Sequence, residues 1–147
     1  MSVVDRYRLI FGTGITLVVI RLSLRLVSLP RLLRWLTCRP AEGAGRPAPL
    51  DKIVYYVDRW LTLFPYNPKG NCFPRTLALY WFARRRGLPV QFCCGVMKLH
   101  QRLEGHAWLM LNGGAFLEPS PYWQSFTVTV ACPPTSSPSH EHPPVSA

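Results

Sequence analysis

One segment, residues 71–87, limits the folds open to this chain more than any other. Pro74 can stand only in the first turn of an α-helix, because it lacks the N–H that later turns bond. Apolar side chains then recur at helical spacing until Gly87, which suits a helix end, and Pro89 prevents continuation. The segment therefore predicts a helix near whose start Cys72 stands, at the positive end of the dipole, where a thiolate is favoured.

The residues after this helix predict a run of short strands. Residues 90–96 and 106–111 are apolar and rich in strand-forming residues, and residues 126–130 alternate in polarity. The polar residues 98–105 are expected to form a loop, and the Asn-Gly-Gly sequence at 112–114 marks a hairpin turn. A helix followed by consecutive antiparallel strands predicts an α+β fold.

The hairpin turn decides whether two candidate catalytic side chains can meet. If all of residues 112–114 form the loop, His106 and Glu118 are diagonal neighbours on one face, about 7–8 Å apart. A two-residue loop would send Glu118 to the other face. A pairing of these two side chains therefore favours the longer loop, or a bulge. With Cys72 they would supply a base, an orienting carboxylate and a nucleophile for attack on a carbonyl.

The cysteines predict a reducing environment rather than a disulfide framework. Their number, five, is odd, and their spacing is irregular. The adjacent Cys93 and Cys94 alternate across a predicted strand and are expected to be buried. Zinc binding by this pair with His100 and His106 would match no common ligand spacing, so neither a metal nor a cofactor is predicted. No signal-peptide cleavage pattern follows the apolar N-terminal run, and the protein is expected to be cytoplasmic, with membrane association left open.

Residues 1–38 are expected to form basic amphipathic helices. An uncharged, mostly apolar run of 12 residues, Leu9 to Ile20, is shorter than the roughly 20 residues that a membrane span needs. After it, leucines alternate with arginines until Pro30 interrupts the pattern. Two interpretations stay open: helices that pack on the core of the domain, or a surface, residues 1–36, that contacts a membrane or a partner helix.

Composition divides the rest of the chain into three parts. Residues 39–49, rich in proline, glycine and alanine, are expected to form a linker. A compact domain follows at 50–131, and its first helix, with Asp51 as N-cap, is expected to end near Leu63. Residues 132–147 are rich in proline, serine and histidine and are expected to form a disordered tail.

The net charge of +10, from 17 basic and 7 acidic side chains, is spread along the chain without a nucleic-acid recognition motif. A solvated basic surface, or a face that docks an acidic partner, accounts for this charge. The sequence therefore predicts no nucleic-acid partner.

Four motifs, in order along the chain, carry a resemblance to a known family. They are Cys-Phe-Pro-Arg-Thr-Leu-Ala-Leu at 72–79, Arg-Arg-Gly-Leu-Pro at 85–89, Gly-Val at 95–96 and Gly-His-Ala-Trp at 105–108. In this order they resemble the transglutaminase-like leader peptidases of lasso-peptide biosynthesis, in the stand-alone form without a fused leader-recognition domain. The resemblance covers about residues 50–130, and the N-terminal helices more weakly.

The resemblance implies a papain-like cysteine protease that removes the leader from a ribosomally made precursor peptide. A small leader-binding protein delivers the substrate, and a separate ATP-dependent cyclase then closes the macrolactam. The family nucleophile falls on Cys72 and its base on His106. The third member, usually Asp, falls on Glu118, which keeps the carboxylate on a side chain one methylene longer.

Two other functions remain open. A Cys-His-Glu acyltransferase or amidase would use the same fold and residues on a different amide. A basic membrane-surface or scaffold module would bind partners through its helices, and Cys72 would then have no catalytic role.

Overall fold

The structure is a computed structural model that describes residues 3–37, 49–64 and 70–133. Within these ranges, helices come first and a four-stranded antiparallel sheet follows, which confirms the predicted α+β class with N-terminal helices. The elements are α1 (Val3–Leu26), α2 (Leu29–Thr37), α3 (Leu50–Leu63), α4 (Cys72–Arg84), β1 (Gln91–Leu99), β2 (Arg102–Leu111), β3 (Gly114–Phe116), a 3-10 helix (Pro121–Ser125) and β4 (Thr127–Cys132).

Two predicted segments lie mostly outside the described residues. Of the predicted linker, 39–49, the structure describes only Pro49. Of the predicted tail, 132–147, it describes Cys132 and Pro133. Cys132 is the last residue of β4 and is half-buried, so the sheet extends one residue into the segment expected to be tail.

The helix α4 forms for the reasons that the sequence suggests. It begins at Cys72, and Pro74 lies in its first turn. At its other end Gly87 has a φ of 75°, and the Leu88 N–H donates to the Ala83 carbonyl across 3.2 Å, which closes the helix end. The helix contacts α1, α2, α3 and both strands β1 and β2, so it lies at the centre of the molecule.

The N-terminal helices belong to the same apolar core as α4. Leu17 and Ile20 on α1, and Leu32 and Leu33 on α2, are at most 3% exposed and pack with residues from α3, α4 and the sheet. The core therefore continues across the boundary predicted at residue 50.

The two long helices differ in detail from their sequence-based bounds. The helix α1 has 24 residues, because the helix continues through the arginines on both sides of the apolar run. In α3 the N-cap position is Pro49, and Asp51 lies in the first turn, where the helix dipole favours its carboxylate. The prediction that Asp51 is the N-cap is wrong, whereas the predicted end at Leu63 is confirmed.

The strands β1 and β2 form a long hairpin through a segment that was expected to be a loop. Leu99 pairs with Arg102, and pairing continues without interruption to the far end of the strands. The turn between them consists of His100 and Gln101, which have φ values of 43° and 65°. The loop predicted at 98–105 is therefore wrong: a two-residue turn with both residues at positive φ forms here without the Asn-Gly signal that usually announces it.

The sheet has the order β3-β2-β1-β4, so the last strand pairs with the first. The pairing of β1 with β4 shifts register between Cys94 and Gly95. A Cβ atom at Gly95 would lie 2.5 Å from the Thr127 carbonyl oxygen. Only glycine permits this approach, and β4 can therefore lie directly beside the part of β1 that pairs with His106.

Candidate active site

His106 and Glu118 contact each other directly. His106 Nε2 lies 3.2 Å from Glu118 Oε1, and the two side chains are 21% and 9% exposed. A carboxylate on Nε2 fixes the orientation of the ring. Nδ1 is then the ring nitrogen that remains to exchange a proton with a nucleophile.

The pair forms even though the hairpin between β2 and β3 has a two-residue loop. Leu111 pairs with Gly114, so the expectation of a three-residue loop is wrong. The strand β3 ends at Phe116, and Leu117 takes a φ of 57°, in the left-handed region. Because the chain changes direction at Leu117, Glu118 no longer follows the alternation of side chains along β3. Its carboxylate can therefore contact His106 despite the two-residue loop.

Aromatic rings enclose the imidazole. Trp108, two residues further along β2, stacks on His106 with ring centroids 5.9 Å apart and an interplanar angle of 16°. The ring of Phe126 lies 5.3 Å from the imidazole. The rings of Trp108 and Phe126 thus limit the access of water to the imidazole, which is 21% exposed.

Cys72 stands at the first position of α4 and is half-buried. The preceding residue, Asn71, occupies the N-cap position, but its side chain makes no capping hydrogen bond and instead accepts one from Arg21 Nη2 across 3.4 Å. The first backbone N–H groups of α4 thus lack a side-chain cap and can donate to the oxygen of a bound carbonyl. The backbone N–H of Cys72, at the first position of α4, is therefore a candidate oxyanion donor.

Two hydrogen bonds hold the first turn of α4 against the segments that carry His106 and Glu118. The Thr76 hydroxyl donates to the Ala107 carbonyl across 2.9 Å. Arg75 Nη1 donates to the Leu117 carbonyl across 3.3 Å. Each acceptor is the immediate neighbour of a candidate catalytic residue, so the helix start and the His106–Glu118 pair are tied together.

The edge of β2 explains how α4 comes close to Ala107, the neighbour of His106. The strand β3 pairs only with residues 109–111 of β2. Because backbone groups alternate between the two edges of a strand, the Ala107 carbonyl points to the edge that β3 no longer covers. The Thr76 hydroxyl fills this position. Cys72, four residues before Thr76, lies on the same side of the helix.

Arg75 is a residue whose role the sequence did not reveal. Its guanidinium binds the Asp58 carboxylate on α3 through two contacts, Nε to Oδ1 at 2.6 Å and Nη2 to Oδ2 at 3.2 Å. The same side chain reaches Leu117, so it joins α3, α4 and the segment before Glu118. The only signal in the sequence is the three-residue spacing from Cys72 in the Cys-x-x-Arg motif.

The structure thus brings together two of the three predicted catalytic residues, His106 and Glu118. It places the third, Cys72, in the first turn of α4, which is hydrogen-bonded to the neighbours of both. Among residues 3–37, 49–64 and 70–133, no hydrogen bond joins the Cys72 thiol to the His106 ring. Ala107 and Leu109 face the helices, whereas His106 shares the opposite face of β2 with Trp108. A nucleophilic role for Cys72 would need its sulfur to approach Nδ1, and such contacts commonly tighten when substrate binds.

The adjacent cysteines have a different character. Burial raises the pKa of the Cys93 thiol to about 11, with a smaller contribution from Cys94. Burial also raises the pKa of Cys94, and the nearby Cys72 adds to this rise. No group of three or more histidine, cysteine or acidic side chains in the described part of the chain could hold a metal ion.

We expect Cys93 and Cys94 to resist alkylation by iodoacetamide in the native protein at pH 8. Only the thiolate reacts, and a pKa near 11 leaves Cys93 about a hundredfold less thiolate at this pH than a pKa of 9 would. Mass spectrometry of the digested protein measures the labelling of each cysteine, and the same reaction in urea is the control. Equal labelling of Cys93 before and after unfolding would contradict the prediction.

A comparison with known protein families identifies the fold. Residues 16–131, more than half of the chain, match the transglutaminase-like superfamily. Searches of curated proteins and of solved structures each found no match. The matched range begins within α1 and includes Cys72, His106 and Glu118. The chain therefore belongs to the transglutaminase-like superfamily, a fold that typically carries cysteine peptidase or acyltransferase activity.

Proposed function

We propose that this protein is a cysteine peptidase that removes the leader from a ribosomally made lasso-peptide precursor. The observation that carries the proposal is the 3.2 Å contact between His106 and Glu118, tethered to the helical turn that begins with Cys72. The choice of a leader peptide as substrate rests on the four sequence motifs at 72–79, 85–89, 95–96 and 105–108.

In the proposed reaction the Cys72 sulfur attacks the carbonyl carbon of the scissile amide, and the thiol proton passes to His106 Nδ1. Glu118 stabilises the resulting imidazolium through Nε2. The tetrahedral oxyanion is held by the N–H groups at the start of α4. His106 then gives its proton to the leaving amine, which departs as the new N-terminus of the core peptide. Water, deprotonated by His106, releases the leader carboxylate and restores the thiol.

The proposal includes two partners that act before and after this protein. A small leader-binding protein would present the precursor, and an ATP-dependent cyclase would close the macrolactam on the new amine. Cleavage must precede closure, because the free α-amine of the core peptide is the nucleophile that the cyclase needs. The reaction proposed here needs no cofactor, since the side chains supply the nucleophile, the base and the orienting carboxylate.

The test is incubation of the purified protein with a precursor peptide, with and without the leader-binding protein, followed by mass spectrometry. Hydrolysis gives two fragments whose masses sum to the precursor plus one water. An acyltransferase of the same fold would give a leader joined to an added amine. Recovery of only that second product would overturn the peptidase assignment and keep the fold and nucleophile. A precursor left intact with the leader-binding protein present would overturn the proposal.

We expect replacement of Arg75 by glutamine to lower kcat about 10- to 100-fold and to change KM little. Without Nη1 the Leu117 carbonyl loses its donor, so Glu118 is no longer held in position, and displacements of about 1 Å cost rates of this order. Steady-state kinetics on the precursor measures both constants.

The matched control is Asp58→Ala, which removes the ion pair from the other side of Arg75 and leaves the Leu117 contact available. This variant should lose stability but keep most of kcat. If Asp58→Ala lowered kcat as much as Arg75→Gln, the contact with Leu117 would have no separate effect.

A further inference from the structure

The outer face of α1 is an apolar surface that the fold leaves uncovered. Its residues follow one another at intervals of three or four and are 42–63% exposed. We call them the outer stripe of α1: Val4, Tyr7, Phe11, Ile15, Val18 and Leu22. The opposite face is buried against the domain, with Thr13, Leu17 and Ile20 at most 2% exposed. The helix is thus apolar on both sides, but the core accounts for only one of them.

We propose that the outer stripe of α1 docks on the surface of an anionic lipid bilayer. Arg8 and Arg25 are exposed at the two ends of the stripe, and no charged residue stands between Leu9 and Ile20. Between them, α1 and α2 carry six arginines and one carboxylate, that of Asp5. An apolar stripe with arginines at its ends is the pattern of a helix that lies in the membrane interface, with its basic groups at the lipid headgroups.

The basic charge favours lipid over a second copy of this chain as the occupant. Two copies that met through the stripe would bring their arginines together, and like charges at an interface are unfavourable. Anionic headgroups attract the same arginines, and each basic residue near such a surface adds about 1 kcal/mol to binding.

The helix meets the length and composition expected of a membrane span, but its packing favours the surface. The Trp60 indole N–H donates to the Ile10 carbonyl across 2.9 Å. A Cβ atom at Gly14 would lie 2.8 Å from the ring of Trp60 on α3, so α1 and α3 are in close contact there. The superfamily match also begins at residue 16, inside this helix. To span a bilayer, α1 would have to leave the core to which its inner face belongs.

The experiment is flotation of the full chain with vesicles of phosphatidylcholine, with and without phosphatidylglycerol. We expect binding to the anionic vesicles, weaker binding at high salt, and little binding to neutral vesicles. The double variant Phe11→Ser with Ile15→Ser should bind the anionic vesicles at least about tenfold more weakly than the parent, because two large apolar side chains no longer enter the lipid. A matched control, Tyr55→Ser with Leu103→Ser, changes residues that are 63% and 77% exposed on other elements and should bind as the parent does.

Four outcomes would overturn the proposal. The parent chain fails to float with anionic vesicles, or the stripe variant floats as well as the parent. If light scattering showed that the stripe variant differs from the parent in oligomeric state while its flotation is unchanged, the stripe would be an interface with a second copy of this chain. Resistance of the bound protein to alkaline carbonate extraction would indicate a spanning helix. Circular dichroism of each variant shows whether the fold is retained. The stripe residues have no role in the proposed reaction, so peptidase activity in solution tests the proposed function separately.

Discussion

Replacement of Cys72 by alanine is expected to abolish cleavage of the precursor peptide and to leave the fold intact. The sulfur is the only atom lost, and it is the atom that forms the bond to the scissile carbonyl in the proposed reaction. Removal of a nucleophile from such a site costs a rate factor of about 10⁴ or more. The side chain is half-buried at the first position of α4, and alanine is tolerated there. Product formation is followed by liquid chromatography with mass spectrometry, and the fold by circular dichroism.

Cys132 offers a matched control for this variant. It is also a free, half-buried cysteine, but it lies at the end of β4, beside Thr37 and Tyr80. Cys132→Ala should cleave the precursor at close to the parental rate. Cleavage by Cys72→Ala at the parental rate would refute the assignment of the nucleophile. The main alternative would then be a basic membrane-surface or scaffold module that binds partners through its helices.

Replacement of Trp108 by alanine is expected to lower the free energy of unfolding by about 3–5 kcal/mol, the usual cost of emptying a buried aromatic position. Trp108 is 1% exposed and packs between His106, Trp123 and Phe126. Native domains are stable by about 5–15 kcal/mol, so this loss is a large share of the total. Urea denaturation followed by far-ultraviolet circular dichroism measures it.

Trp35 provides the control, because the same substitution can be made at a position that is 65% exposed. Trp35→Ala should change the free energy of unfolding by no more than about 0.5 kcal/mol. The indole N–H of Trp108 has no hydrogen-bond partner among the described residues, so Trp108→Phe, which keeps a ring against His106, loses no such bond. If Trp108→Ala lowered the free energy of unfolding no more than Trp35→Ala does, the packing of Trp108 with Trp123 and Phe126 would contribute little to stability.

Local chemistry explains which elements were predictable. Pro74 and Gly87 mark the first turn of α4 and the residues after its end, because proline and glycine restrict or widen backbone freedom in ways that act within one turn. The pairing of His106 with Glu118 was also predicted, through either a three-residue loop or a bulge. The three-residue loop is wrong.

The errors arise where contacts distant in sequence set the backbone. His100, Gln101 and Leu117 all adopt positive φ without being glycine or asparagine, so propensity alone assigns them elsewhere. The left-handed conformation of Leu117 coincides with a hydrogen bond from Arg75, which stands 42 residues earlier. Arg75 also binds Asp58, which lies on another helix. A pattern read within one window of sequence contains none of these relations.

The core that the N-terminal helices share with α3, α4 and the sheet bears on where this chain can be shortened. A shortened protein that starts at residue 50 keeps every predicted catalytic residue, yet it lacks Leu17, Ile20, Leu32 and Leu33. The surfaces that these side chains cover on α3 and α4 would then face water, and such a fragment is a poor starting point for crystallisation or directed evolution. The two N-terminal helices are thus part of the same folded unit as the sheet, and engineering of this protein has to keep them.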